Sequence, residues 1–420
     1  MIGVPAGQYY GSKNDLFVLN SDGSNLDCRT RTLENALSSG LHDDLPVYWS
    51  LSLPPILPSD DGGEAIVPLQ QGGEVHLIQV SLRGPEQVRT LANGQRFCFP
   101  FNRAGKRLIF GIGSSFDPTQ LAVLDTSTGE EQQLTHLNAD LLAQIELPEL
   151  RNIHYKSVDG ADVEGWVMIP KGPPPFPTVL HIHGGPHAAY GYCFSFDFLT
   201  LTGAGYAVVF VNHRGSTGYG NAFATATHAD WGYLDYQDLM AGIDHVIEMG
   251  IADPDRLGCC GVSGGGNLSA WIVGHTRRFK AAAPENMVCN FTSFYGTADV
   301  GPVFAVREMG GKPHEVPDVY ARCSPITYAH ACTTPTLIFI AEQDHRCPPE
   351  QGEQFYAVLK ANGCTVEMMR FPNSSHNAAS IGSLAVRRVH NEALLEWMQR
   401  FLIKMPASES ADIQAAEPGV

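Results

Sequence analysis

Long apolar runs, a basic leader and an excess of positive charge are all missing from this sequence. No stretch is long enough to cross a bilayer, and residues 1–8 lack the basic start and apolar core of a signal peptide. Acidic residues outnumber basic residues by 44 to 27, which gives a net charge of -17. We therefore expect neither a membrane nor a nucleic acid as a partner, because the negative charge disfavours both.

A disulfide framework is also missing. The ten cysteines are scattered along the chain, and the adjacent pair Cys259 and Cys260 lies in an apolar run that predicts a buried strand. We therefore expect reduced thiols and a cytoplasmic location.

The usual cofactor motifs are absent as well. His181, His183 and His187 have no carboxylate or cysteine at a typical short ligand spacing, which disfavours a metal site. The glycine-rich segment 214–220 follows a predicted strand but lacks the Gly-Lys-Ser/Thr ending of a phosphate-binding loop. No cofactor is expected.

What is present divides the chain into two regions, as its 420 residues suggest. In residues 1–150, each predicted short strand is followed by a polar turn. The apolar runs 75–80 and 120–125 are also each followed by a second segment, at 87–91 and 132–136, and these two segments have similar sequences. Such a repeat is typical of β-propeller blades, and a period of about 40 to 60 residues leaves room for three or four of them. We interpret this region as a partial propeller.

Residues 151–404 have a different pattern, in which apolar runs alternate with longer helical segments. This pattern predicts an α/β domain with a doubly wound, mostly parallel sheet covered on both faces. The proline-rich stretch 170–177 is interpreted as a surface turn within that domain, and residues 405–420 are predicted to be a disordered tail.

The segment Gly261-Val262-Ser263-Gly264-Gly265 has the pattern of a nucleophile elbow. It follows a predicted buried strand and precedes a predicted helix at 267–274, which is the order that this turn requires. Glycines on either side allow the tight turn without a side-chain clash. Ser263 is therefore the candidate nucleophile, and the alternative is a glycine-rich turn without a catalytic role.

A serine nucleophile needs a base and an acid, which in α/β-hydrolases follow in the order acid, then histidine. Asp344 follows the predicted strand 336–340, and His376 follows the predicted strand 366–370. For Asp344 the alternative is a helix cap. His345 and His390 also follow the serine, but the first adjoins the acid and the second lies within a predicted helix.

Two further groups complete the candidate site. Acyl transfer needs N–H donors for its oxyanion, and the natural pair is Gly185, after an early strand, with Gly264. Glu285 could bind a substrate amine, although a surface carboxylate is the alternative. Residues that could line an apolar pocket, or simply pack in the core, are Phe291, Phe294 and Tyr295.

These motifs together resemble the prolyl oligopeptidase family of serine peptidases, and particularly its acylaminoacyl-peptidase and dipeptidyl-peptidase-like branch. The resemblance spans about residues 70–404. Besides the elbow it rests on His183-Gly-Gly-Pro-His187, Asn212-His-Arg-Gly-Ser-Thr-Gly-Tyr-Gly220, Asp230-Trp-Gly-Tyr-Leu-Asp-Tyr-Gln-Asp238, Asp253-Pro-Asp-Arg-Leu-Gly258 and Asp344-His-Arg-Cys-Pro-Pro-Glu-Gln351.

The resemblance implies a β-propeller followed by an α/β-hydrolase domain, with Ser263, Asp344 and His376 as the triad and the N–H groups of Gly185 and Gly264 as oxyanion donors. Two departures stand out. Gly264 replaces the tyrosine that commonly follows the serine in this family, which predicts a roomier or looser acyl pocket.

The propeller is the second departure, since family propellers have seven or eight blades. Either this propeller is open and partial, or the sequence begins within it. Open blades expose strand edges, which would favour pairing with another copy of the chain.

Three functions stay open at this level. The chain could be a peptidase acting on short or N-acylated peptides, a carboxylesterase or amidase acting on small esters or amides with the same triad, or a non-catalytic protein that uses its blades as an interaction surface.

Overall fold

A computed structural model describes residues 1–4, 8–9, 11–37, 40–41 and 56–403. Within this part of the chain, an all-β region precedes a mixed sheet flanked by helices. No helix in the described ranges is both long and apolar enough to cross a membrane. The tail predicted at 405–420 lies outside the described residues.

The all-β region consists of short antiparallel strands joined by turns. Its strands are β1 (Ile2–Gly3), β2 (Asp15–Val18), β3 (Asp27–Cys28), β4 (Leu57–Pro58), β5 (Glu64–Gln71), β6 (Glu74–Ser81), β7 (Val88–Ala92), β8 (Phe97–Ala104), β9 (Arg107–Gly113), β10 (Gln120–Asp125) and β11 (Glu131–Gln133).

These strands form repeated units. β4 to β7 and β8 to β11 are two four-stranded antiparallel meanders, which join where Val75 of β6 pairs with Phe97 of β8. The strands β1 to β3 form a separate three-stranded sheet. The repeated runs at 75–80 and 120–125 fall in the third strand of each meander, and the phrases that trail them overlap the fourth. The sequence repeat therefore corresponds to a structural repeat, while the number of blades stays a prediction.

The second region contains one eight-stranded sheet with the order β12-β13-β15-β14-β16-β17-β18-β19. β13 pairs antiparallel with both β12 and β15, and the remaining pairs are parallel. The expected mostly parallel α/β sheet is confirmed. Its strands are β12 (Glu149–Lys156), β13 (Asp162–Ile169), β14 (Phe176–Ile182), β15 (Ala207–Asn212), β16 (Ala252–Val262), β17 (Phe279–Glu285), β18 (Thr336–Ala341) and β19 (Val366–Phe371).

Helices cover both faces of this sheet. The α-helices of the described residues are α1 (Ala139–Leu142), α2 (Phe196–Gly203), α3 (Asn221–Ala224), α4 (Leu234–Glu248), α5 (Gly264–His275), α6 (Phe291–Thr297), α7 (Gly301–Met309), α8 (Pro317–Arg322), α9 (Pro349–Ala361), α10 (Ala378–Ile381) and α11 (Leu384–Leu402). Helices α4, α5 and α9 pack on one face, and α2 and α11 pack on the other.

Each face has its own apolar core because strands buried on both sides are apolar along their whole length. Val209 and Val211 of β15 face the core that contains α4, whereas Val208 and Phe210 face the core that contains α11. Residues 170–175 of the proline-rich stretch connect β13 to β14, as predicted, whereas Phe176 and Pro177 are buried and begin β14. All ten cysteines are free thiols, and the predicted burial of Cys259 and Cys260 in β16 is confirmed.

The β5–β6 hairpin docks on the α/β domain. The N–H of Gly72 donates to the carbonyl of Gly218 at 2.8 Å, and the side-chain amide of Gln70 donates to the carbonyl of Thr217 at 3.0 Å. The carbonyl of Gly73 accepts a hydrogen bond from the N–H of Tyr192 at 2.9 Å. The all-β region therefore holds the loop 213–220 in place. This loop follows β15, at the edge of the eight-stranded sheet where its parallel strands end.

A buried ion pair anchors the same loop to α4. Arg214 lies after β15, and its guanidinium contacts both oxygens of Asp238 in α4, at 2.7 Å from Nη2 to Oδ1 and 3.0 Å from Nε to Oδ2. Asp159 provides a second carboxylate contact. Hydrogen bonding to Asp238 is the main cause that raises the pKa of Arg214 above its usual range. The motifs around residues 214 and 238 therefore have a structural role.

We predict that Asp238→Asn lowers the free energy of unfolding by about 3 kcal/mol, because it leaves a buried guanidinium without its main carboxylate partner. Urea unfolding at pH 7 measures the change. The matched control is Asp244→Asn on the exposed face of α4, for which we expect a change below about 0.5 kcal/mol. Equal effects of the two substitutions would contradict a structural role for the buried pair.

Candidate active site

Ser263 occupies the turn between β16 and α5. Its backbone has φ 61° and ψ -116°, a conformation that residues with side chains rarely adopt. The N–H of Ser263 donates to the carbonyl of Glu285 at 2.9 Å, which holds the turn against β17. This strained strand-to-helix turn has the geometry of a nucleophile elbow.

The glycines around Ser263 are required by close backbone contacts. A Cβ atom on Gly261 would lie 2.3 Å from the carbonyl oxygen of Ile182, and one on Gly265 would lie 2.0 Å from the same atom. A Cβ atom on Gly266 would lie 2.4 Å from the carbonyl oxygen of Glu285. No side chain fits at these distances, so the start of α5 packs directly on the backbones of the neighbouring strands.

Asp344 and His376 lie at the ends of β18 and β19, as expected. Their side chains form a 2.6 Å hydrogen bond between His376 Nδ1 and Asp344 Oδ2. The other carboxylate oxygen of Asp344 accepts the N–H groups of Arg346 and Cys347, each at 2.8 Å. The carboxylate thus orients the histidine and also shapes its own turn. Because Nδ1 donates to Asp344, Nε2 of His376 is the nitrogen left to act as a base.

Asn286 provides a further support for His376. Its side-chain amide donates to the carbonyl of His376 at 2.7 Å, and its oxygen accepts the N–H of Ala341 at 2.8 Å. This residue links the ends of β17, β18 and the histidine loop. The two other candidate histidines do not line the cleft around Ser263: His345 is exposed and His390 is buried in α11.

Ser263 and His376 line one cleft of about 380 Å³. Ser263 Oγ lies 4.0 Å from Cys347 Sγ and, among the described residues, forms no hydrogen bond with His376. Such hydrogen bonds are often long without substrate and tighten when one binds. The serine and the histidine therefore line the cleft, and the acid bonds to the histidine, without the closed serine–histidine contact.

Gly185 and Gly264 both line this cleft. Gly185 has φ 121°, and a Cβ atom on Gly264 would lie 2.8 Å from its carbonyl oxygen and 3.0 Å from its nitrogen. The backbone of Gly185 therefore packs directly against position 264, and the looser acyl pocket stays a prediction. The N-terminus of α5 also directs its positive end towards this point.

The predicted aromatic pocket is partly present. Phe294 lines the cleft, whereas Phe291 is fully buried behind it and Tyr295 does not reach it, because α6 turns both side chains into the neighbouring apolar cluster. Sequence reasoning missed most of the apolar wall, which is formed by Trp231, Val288, Val300 and Phe304.

Glu285 is buried, so the interpretation of it as a surface carboxylate was wrong. It does not line the cleft, and a role in binding a substrate amine stays a prediction. Its side chain is buried and lies 2.7 Å from His390 Nε2, since β17 directs it to the opposite side of the elbow. There it lines a separate cavity of about 60 Å³ with His181 and Asp197. Burial alone would lower the pKa of His390, but the Glu285 carboxylate outweighs it and raises the pKa to about 9.

The early histidines have separate partners rather than a common ligand. His181 Nδ1 lies 2.7 Å from the Tyr190 hydroxyl, and His183 Nε2 lies 2.8 Å from the Ser216 hydroxyl. His187 Nε2 lies 3.1 Å from Glu308. No group of three or more metal-ligating side chains occurs in the parts of the chain that are described.

A charged residue, Arg346, lies at the rim of the cleft. Arg346 lines the cleft and contacts the Asp299 carboxylate, with Nε at 2.8 Å from Oδ1 and Nη2 at 3.2 Å from Oδ2. Sequence reasoning missed Arg346 and Cys347 although both follow Asp344 in the same motif. The sequence shows that Arg346 and Cys347 lie close after Asp344, but it does not show that the turn directs both of them to the cleft.

Comparison with known proteins identifies the family. The model of the prolyl oligopeptidase family matches residues 192–404, about half of the chain. The chain belongs to the prolyl oligopeptidase family. Its similarity to Uncharacterized peptidase YuxL from Bacillus subtilis is 34% identity over 90% of this chain and 58% of that protein.

Two further family comparisons agree. The Acylamino-acid-releasing enzyme of Arabidopsis thaliana is 35% identical over 48% of this chain and 27% of that protein. The solved structure of Pyrococcus horikoshii acylaminoacyl peptidase has a TM-score of 0.86 and 27% identity, covering 97% of this chain and 62% of that one. The chain thus spans less than two thirds of the length of these relatives, and the expected propeller-like region followed by an α/β-hydrolase domain is confirmed.

We predict that Glu285→Gln lowers the free energy of unfolding at pH 7 by about 3 kcal/mol, because it removes the partner of a buried charge. A histidine whose pKa rises from 6.5 to about 9 on folding adds stability that is complete below pH 6.5 and is lost as the pH rises through 9. The deficit of the variant should therefore shrink between pH 7 and pH 9.5.

Urea unfolding at both pH values measures this deficit. Glu342→Gln, at an exposed ion pair with Arg370, is the matched control and should show neither the deficit nor its pH dependence. Parallel pH profiles for wild type and Glu285→Gln would contradict the pairing.

Proposed function

We propose that this chain is a serine peptidase that cleaves amide bonds of short or N-acylated peptides through an acyl-enzyme intermediate. The observation that carries the proposal is the Asp344–His376 hydrogen bond of 2.6 Å beside a cleft that also holds Ser263 in an elbow turn. Family membership supports amide substrates, since the named relatives are peptidases.

The first chemical step is acylation of the serine. His376 Nε2 takes the proton of Ser263 Oγ as that oxygen attacks the carbonyl carbon of the substrate, and Asp344 holds the imidazolium that forms. The carbonyl oxygen becomes an oxyanion, which the N–H groups of Gly185 and Gly264 stabilise. His376 then gives its proton to the leaving amine, and the carbon–nitrogen bond breaks.

The second step is hydrolysis of the acyl-enzyme. Water gives a proton to His376 and its oxygen to the acyl carbon, the oxyanion forms again between the same donors, and Ser263 recovers its proton as the acid product leaves. The elbow suits both steps because its strained backbone keeps Oγ exposed on one side while its neighbour Gly264 provides a donor on the other. Apart from the substrate and this water, all groups in the scheme are side chains or backbone N–H groups of this chain.

The shape of the cleft supports a small acyl portion with an apolar side chain. Its volume of about 380 Å³ is at the small end for ligand pockets, and Trp231, Phe294 and Phe304 provide an apolar wall. Arg346 at the rim is a hydrogen-bond donor for a carbonyl of the peptide chain. These features favour short, N-acylated peptides over extended ones.

We predict that Asp344→Asn lowers kcat by about three to four orders of magnitude, because the asparagine cannot hold the imidazolium and its N–H favours the wrong histidine tautomer. Turnover of an acetyl-aminoacyl anilide measures the loss.

Ser263→Ala should abolish labelling by a fluorophosphonate probe, and equal labelling of wild type and Ser263→Ala would overturn the assignment of the nucleophile.

We also predict that acetyl-aminoacyl anilides are turned over at a higher kcat/KM than dipeptidyl anilides with a free amine, because no buried carboxylate points into the cleft from the residues that line it. Parallel assays of the purified chain against both anilides and against short acyl esters measure the preference. Rapid ester cleavage without detectable anilide cleavage would replace the peptidase by the carboxylesterase alternative.

A further inference from the structure

Glu308 is a buried carboxylate of α7 that lies between two walls of the cleft. Its Oε1 atom is 3.1 Å from His187 Nε2, and its Oε2 atom accepts the indole N–H of Trp231 at 3.1 Å. The side chain is only 3% exposed. A buried carboxylate is costly unless both oxygens are paired, and here each oxygen has a donor from a different loop.

The second ring nitrogen of His187 also faces an acceptor. Nδ1 lies 3.0 Å from the carbonyl oxygen of Gly215, which can only accept a hydrogen bond. Because the Glu308 carboxylate likewise accepts, each ring nitrogen of His187 faces a hydrogen-bond acceptor. The face of the ring is covered too: a Cβ atom on Gly11 would lie 2.2 Å from it. His187 is therefore held in one position.

His187 belongs to the loop that contains the oxyanion donor Gly185. That loop is tied to the loop 213–217 at three points: His183 Nε2 lies 2.8 Å from the Ser216 hydroxyl, His187 bonds to Gly215, and the N–H of Thr217 donates to the carbonyl of Ala188 at 3.0 Å. A Cβ atom on Gly264 would lie 3.0 Å from the nitrogen of Gly185, so a displacement of this loop changes the distance between the two oxyanion donors.

Trp231 is the second partner of Glu308 and forms part of the apolar wall. Its ring packs edge to face on Phe291 and Phe304, with ring centroids 5.2 and 5.9 Å away. The backbone of Glu308 also accepts the N–H of Ala229 at 2.7 Å. One carboxylate thus ties the loop of Trp231, the oxyanion loop and α7 together.

We propose that Glu308 is a positioning residue for acyl transfer at Ser263, which sets the apolar wall at Trp231 and the oxyanion loop at His187 in one fixed arrangement. The proposal rests on the proposed function. Glu308 touches no reacting atom in this scheme and acts through its two hydrogen bonds. The His187 bond sets the position of Gly185 and therefore kcat, while the Trp231 bond sets the acyl wall and therefore KM.

Substitution of Glu308 by glutamine and by alanine separates the effect of its hydrogen bonds from the effect of its negative charge. In the Glu308→Gln variant, the amide oxygen can accept the Trp231 N–H while the amide NH2 group donates to His187 Nε2, and the Nδ1–H of His187 still donates to the carbonyl of Gly215. We therefore expect Glu308→Gln to keep kcat within about fivefold of wild type. Glu308→Ala should lose kcat by about 100-fold, which is the size expected for a displacement of about 1 Å in a catalytic group.

A third variant and a control complete the experiment. Trp231→Phe keeps an aromatic ring in the wall but removes the N–H that bonds to Glu308, so KM should rise with a smaller change in kcat. Glu248→Ala, at the exposed end of α4, is the matched control for loss of a glutamate and should leave both constants unchanged. Circular dichroism and thermal unfolding confirm that each variant is folded before its kinetics are compared.

Three results would overturn the proposal: an unchanged kcat in a folded Glu308→Ala variant, an equal loss in the Gln and Ala variants, or a loss confined to KM. The chemical shift of the Trp231 indole proton provides a readout that does not need activity, because Glu308 accepts that N–H. The shift of a hydrogen-bonded indole N–H is expected in wild type and Glu308→Gln, and that of an unbonded one in Glu308→Ala. If wild type turns over no substrate yet shows the hydrogen-bonded shift, the proposed function has failed and the Glu308 arrangement stands.

Discussion

The contact between the backbone of the elbow and the backbones of the two neighbouring strands constrains the rest of this site. Gly261, Gly265 and Gly266 allow the start of α5 to lie against Ile182 and Glu285 at distances where no Cβ atom fits. That contact forces Ser263 into its strained conformation, places the N-terminus of α5 at the candidate nucleophile and fixes the positions of the proposed oxyanion donors. A larger residue at any of the three positions would separate the helix from the sheet.

Around this elbow, the parallel sheet brings the remaining groups together at one edge. The loops after β14, β16, β18 and β19 all begin at this edge of the sheet, which is where the ligands of open α/β sheets bind. Loops alone would not hold catalytic groups in place, and buried carboxylates provide the anchors. Asp238 holds Arg214 beside the loop of the proposed oxyanion donor Gly185, Asp344 holds His376, and Glu308 holds His187.

The local order of strands, turns and helices was predictable because it depends on short stretches of sequence. The alternation of apolar runs after residue 151 predicted the sheet, and the repeated runs at 75–80 and 120–125 predicted repeated strands that the structure places at equal positions in two meanders. The order Ser263, Asp344, His376 followed from the loops that carry them. The surface position expected for Glu285 was wrong because β17 buries its side chain against His390, and the sequence does not show on which side of the elbow a strand-end residue lies.

The sequence by itself determined the family, the two-region organisation, the elbow and the three residues of the candidate triad, since each of these is encoded in a few adjacent residues with a definite backbone requirement. Only the tertiary structure decided the wall of the cleft and the supports of its loops. Trp231, Arg346 and Glu308 come from three separate segments, and nothing in their local sequence predicts that they converge. Their positions depend on how α7 and the loops after β15 and β18 pack against the sheet, which is a long-range property of the whole fold.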